Sequence, residues 1–67
     1  MSPDKMVHMA NQIAVFFRTQ PGADPAEKVA AHLRDYWEPR MRDQLRDYVR
    51  KGGEGLDDTV CRAARLI

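Results

Sequence analysis

The residues of this chain with any capacity for chemistry are two histidines, one cysteine, a glycine-rich turn and a stripe of arginines. His8 and His32 could serve as general bases or metal ligands. No aspartate or cysteine stands at a regular spacing from either, so neither a base–orienter pair nor a ligand set is assembled. They read as surface and boundary histidines. Cys61 is the single cysteine, so no intrachain disulfide can form, and no pattern beside it marks a nucleophile. It reads as a small apolar residue of a helix. Gly52-Gly53-Glu54-Gly55 resembles a phosphate loop only superficially. No strand precedes it and no Lys-Ser/Thr pair follows. A helix stop followed by a tight turn accounts for its glycines.

Arg42, Arg46 and Arg50 recur every fourth residue, with Asp43 and Asp47 beside them. On a helix, Asp43–Arg46, Asp47–Arg50 and Asp47–Lys51 can pair, each for about a few tenths of a kcal/mol. A solvated charged face is the default reading. The functional alternative is an arginine-rich interface rim or an anion contact. A DNA recognition helix is a sharper version, but the interleaved acids repel phosphates. No catalytic, cofactor-binding or metal-binding residue is therefore assigned.

The elements that must position these residues are helices. Alternating strand patterns are missing, and apolar residues return at helical spacing four times. The first helix is expected from about Pro3 to Arg18, capped by Ser2, with Pro3 at its first position and Asp4 at the positive end of the dipole. On a wheel of about 100° per residue, Met9, Phe16, Ile13, Met6, Phe17, Ala10, Ala14 and Val7 fill nearly half the circumference. His8, Asn11 and Gln12 share the other side with Val15. An arc this wide exceeds the stripe a surface helix needs, so one edge of it is expected to face something outside the chain.

Residues 20–23, Gln-Pro-Gly-Ala, read as a turn. Asp24 then caps a second helix, with Pro25 first and Glu27 three after the cap. Val29, Leu33, Tyr36 and Trp37 share one side of it, beside Ala26 and Ala30. Pro39 stops this helix and opens a third, to about Lys51, with Met41, Leu45, Tyr48 and Val49 on one face. Lys51-Gly52-Gly53 is a helix stop. Leu56 and Asp57 lead into a short fourth helix carrying Val60, Ala63, Ala64 and Ile67. The fold class expected is all-α: one helical domain, residues 1–67, built as a small bundle of three to four short helices.

With 67 residues the chain is at most one domain, and a core this small is marginal without a disulfide, a metal or a partner surface. The first two are not provided for, which directs attention to a partner. The charges nearly cancel, 11 Lys+Arg against 10 Asp+Glu, which argues against nucleic-acid binding. No apolar run approaches a bilayer span, and no signal peptide is read, so no membrane role and a cytoplasmic location are expected.

Tyr36-Trp37-Glu38-Pro39-Arg40-Met41 holds the only tryptophan and a proline between two helical patterns. It can pin two helices in the core, or present an exposed Trp37 edge with Arg40 beside it as a partner anchor; the two are compatible. These residues also carry a resemblance. Residues 7–14 (Val-His-Met-Ala-Asn-Gln-Ile-Ala) with Phe16-Phe17, the Tyr36–Arg42 segment and Gly52-Gly53-Glu54-Gly55-Leu56 resemble, in order and spacing, the delta subunit of NAD-dependent, molybdenum- or tungsten-containing formate dehydrogenases. Where this chain has Tyr36-Trp37-Glu38, that family more often has Phe-Trp-Asp.

The resemblance implies a non-catalytic accessory subunit of a complex that oxidises formate to carbon dioxide and reduces NAD⁺. In such complexes the molybdopterin site, iron–sulfur clusters and FMN reside in larger subunits. One cysteine could not hold a cluster needing about four ligands. The expected partners are the catalytic molybdopterin subunit and its iron–sulfur/flavin subunits, met through Met9, Ile13, Phe16, Tyr36, Trp37, Pro39, Arg40 and Met41. The chain itself needs no cofactor. An assembly factor that leaves after cofactor insertion is a related reading. A small helix-turn-helix-like DNA-binding regulator is the alternative from another class, and an independent enzyme stands well behind both.

Overall fold

The computed structural model describes residues 1–22 and 24–67; Ala23, the last residue of the expected turn, lies outside them. The described residues form four helices and no strand: α1 (Pro3–Arg18), α2 (Pro25–Tyr36), α3 (Pro39–Arg50) and α4 (Asp58–Ala64). The starts follow from local chemistry. Ser2 accepts from the Lys5 amide, Asp24 from the Ala26 amide and Asp57 from the Thr59 amide, and each satisfies a donor the helix cannot. Proline occupies the first position of α1, α2 and α3. Only α3 starts without a side-chain cap; there the extended backbone of Glu38, which precedes Pro39, sets the start.

α4 is the shortest helix and the central one. It packs against α1, α2 and α3, whereas α1 and α3 hardly touch each other. Val60, Ala63 and Ala64 of α4 meet Met6, Ala10 and Ala14 of α1 and Val29, Ala30 and Leu33 of α2 in one buried cluster, joined by Trp37 and Leu45. The many alanines let short helices approach closely. α3 contributes a single fully buried residue, Leu45, so it is the helix held by the least core. The helical pattern that continues to Ile67 in sequence ends at Ala64 instead. There the chain tightens into i→i+3 bonds from the Arg65 and Leu66 amides, and Arg34 donates to the Leu66 carbonyl at 3.1 Å.

The loop between α3 and α4 is pinned from three sides. The Gly52 and Gly53 amides bond back to Val49 and Tyr48 carbonyls, closing α3 with both glycines at positive φ. A Cβ at Gly53 would also stand 3.2 Å from Cys61 Sγ. The Tyr48 hydroxyl donates to the Glu54 carbonyl at 2.6 Å. Asn11 of α1 clamps the far end: its Nδ2 donates to the Gly55 carbonyl at 2.9 Å and its Oδ1 accepts from the Asp57 amide at 2.8 Å. Arg18 adds an ion pair to Asp57 at 2.5 Å. Asn11→Ala removes both bonds, a loss of about 1–3 kcal/mol for the pair at roughly 0.5–1.5 kcal/mol each. The expected result is a melting temperature lower by roughly 5–20 °C, read by circular dichroism, and an unchanged melt would show that the clamp is dispensable.

Candidate docking surface

The half-apolar circumference of α1 divides in two. Met6, Ala10 and Ala14 face the core, while Met9 and Phe16 remain exposed and Ile13 half-buried along one edge. The uncovered edge exists because α3 does not pack along α1. Between the two helices runs an open groove of about 590 Å³, walled by Met9 and Ile13, by Met41 and by Tyr36 and Trp37 at the end of α2. A second hollow of about 260 Å³ adjoins it, sharing Gln12, Ile13 and His32 and adding Phe16 and Phe17. The combined surface is apolar and aromatic. Phe16 meets Phe17 edge-on at 5.1 Å, and His32 lies tilted over Tyr36 at 4.7 Å.

Of the residues expected at a partner interface, Met9, Ile13, Tyr36, Trp37 and Met41 line the larger groove and Phe16 the smaller. Pro39 and Arg40 are exposed at the start of α3 but line neither. The exposed Trp37 edge is not found: Trp37 is 6% accessible and belongs to the core, whereas Tyr36 is 75% accessible. The cause is helical spacing. Trp37 continues the i, i+4 row of buried Val29 and Leu33, whereas Tyr36, about 100° around the helix from Trp37, points away; the turn toward α3 begins only at Trp37, with φ −89° and ψ 136°. Tyr36 thus departs from its expected place on the buried side of α2.

Sequence reasoning missed three polar contributors to the groove, His8, Gln12 and His32. His8 and Gln12 were assigned to the polar face of α1, yet that face borders the groove. His32 had a signal in the sequence, since it sits four residues before Tyr36 and beside the apolar face of its helix. Nothing draws the two histidines into a ligand set: among the described residues no group of three or more His, Cys, Asp or Glu is placed to hold a metal.

The opposite flank of α3 carries the arginines. The expected pairs Asp43–Arg46, Asp47–Arg50 and Asp47–Lys51 all form. Hydrogen bonds from Lys51 and Arg50 hold the Asp47 carboxyl below its ordinary pKa. Arg46 and Arg50 fit a solvated face; Arg42 does not, being half-buried with its Nε lacking a hydrogen-bond partner among the described residues. Among the described residues no helix is long and apolar enough to cross a membrane.

Comparison with known proteins bears on this arrangement. Residues 5–64 match the protein family described as the NADH-dependent formate dehydrogenase delta subunit FdsD. No curated protein matches the chain. The matched span contains the starts of α2, α3 and α4 and all of α1 but its first two residues, and it includes the Asn11 clamp, the Trp37–Pro39 corner and the glycine loop. With nearly its whole length inside that span, the chain belongs to the FdsD family of formate dehydrogenase delta subunits.

Proposed function

We propose that this chain is a non-catalytic accessory subunit of an NAD-dependent formate dehydrogenase and docks through the α1–α2–α3 groove onto the large molybdopterin subunit. Two observations support this reading. The family match concerns delta subunits of that enzyme. The groove and the hollow beside it leave Met9, Phe16 and Tyr36 exposed on a chain otherwise small in apolar core. Large apolar side chains gathered in one place on a short domain are the usual mark of a protein contact.

The mechanism is linkage. Binding to the folded large subunit, and not to its unfolded form, stabilises it by an amount that grows with the logarithm of the free concentration of this chain over its dissociation constant. Formate oxidation and NAD⁺ reduction take place in the larger subunits, whose cofactors this chain neither supplies nor needs. It acts in the cytoplasm as a permanent member of the complex. The DNA-binding alternative is disfavoured by the near-balance of charge, 11 Lys+Arg against 10 Asp+Glu, where a long polyanion calls for a basic excess.

The test is co-purification of a tagged chain from cells making active enzyme. Stoichiometric recovery with the molybdopterin subunit is expected in the mature complex. Recovery without any subunit of the molybdenum enzyme would sink the proposal. Recovery only with cofactor-free large subunit would instead make the chain a transient assembly factor.

A further inference from the structure

The flank of α3 away from the apolar groove closes with the end of α4 into a second cleft of about 560 Å³. Arg46, Arg50 and Arg65 stand around it, and Val49, Ala64 and Ile67 complete its lining. The tertiary fold is needed to build it, since Arg65 caps the C-terminus of α4 and joins arginines one helix away. Arg65 makes no ion pair among the described residues. Arg46 and Arg50 each meet a carboxylate of their own helix through one terminal nitrogen, which leaves most of the five N–H donors of each guanidinium available.

We propose that this cleft binds an acidic segment of a partner protein, one that sets carboxylates on Arg46, Arg50 and Arg65 and an apolar side chain between them. Charge complementarity selects the occupant. Guanidinium forks match planar carboxylates, and the apolar part of the cleft gives a side chain between two acids somewhere to go. A nucleic-acid backbone is a poorer fit, because its phosphates carry no apolar group for Val49 and Ala64. The proposal does not depend on which complex the chain joins.

The experiment titrates the isotopically labelled full chain with a capped Glu-Leu-Glu-Leu-Glu peptide and follows the arginine Nε–H signals. Those of Arg46, Arg50 and Arg65 are expected to shift together and saturably. Binding should weaken several-fold as salt rises from about 0.05 to about 0.3 M. A control peptide with glutamine in place of glutamate is expected to shift nothing. Arg65→Gln, which removes no ion pair among the described residues, is expected to weaken binding about threefold with an unchanged melt. Equal shifts from the glutamine peptide, no shifts from either peptide, or shifts from duplex DNA at concentrations where the glutamate peptide is silent would each overturn the proposal. None of the cleft residues lines the apolar groove, so failure here leaves docking through that groove untouched.

Discussion

Trp37→Ala is expected to leave the chain largely unfolded at room temperature. The indole is 6% accessible and packs in the cluster that joins α1, α2 and α4 with Leu45 of α3. Removing a buried aromatic of this size costs about 3–5 kcal/mol, from lost transfer energy and from the cavity left behind. A chain of 67 residues has a total stability of only roughly 3–10 kcal/mol. Trp37 also sits where α2 ends and the chain turns into α3, so its loss loosens the junction as well as the core. Far-ultraviolet circular dichroism checks this, because the variant lacks the only tryptophan and fluorescence cannot follow it. A melt within a few degrees of the parent would mean that the indole does not hold the bundle together. Trp37→Phe, which keeps most of the apolar volume, should retain the helical signal at a lower melting temperature.

The second large effect lies on the surface and should leave the fold alone. Phe16 and Tyr36 are 58% and 75% accessible, so a Phe16→Ser, Tyr36→Ser double variant should change the stability of the free chain by less than about 1 kcal/mol. If both aromatics anchor the large subunit, docking should weaken by about 2–4 kcal/mol, roughly 30- to 1,000-fold. The double variant should then melt like the parent yet be lost from the purified complex. Full stoichiometric retention would move the contact away from the groove. The contrast between the two experiments separates the indole, which acts through folding, from the exposed aromatics, which act through contact.

Much of the bundle was legible because it is decided within a few residues. Ser2, Asp24 and Asp57 accept hydrogen bonds from amides two or three positions on, and Pro3 and Pro25 fix the first turn after two of them. The Asp43–Arg46 and Asp47–Arg50 pairs are likewise one turn apart. The surface was legible only in outline. The width of the apolar arc on α1 indicates that one edge lies bare, but which edge depends on where α2, α3 and α4 come to rest. Tyr36 and Trp37 are neighbours of similar character, and the row of buried Val29 and Leu33 runs on to Trp37, while the next helix comes to rest without covering Tyr36. Asn11 sat on the polar side of its helix without a role until the fold brought Gly55 and Asp57, more than forty positions away, against its amide.

The amino-acid sequence by itself therefore determined the helices, their starts and every stop but that of α4, the ion pairs along α3 and the kinship to formate dehydrogenase delta subunits. These rest on interactions that reach no farther than one helical turn, or on residue types in order. The tertiary structure alone decided that α4 lies at the centre, that α1 and α3 stand apart with an apolar groove between them, and that Arg65 joins Arg46 and Arg50. Those outcomes depend on how four apolar faces share one small core. Burial is non-directional, so helical periodicity states which faces must be covered and leaves the choice of partner to packing.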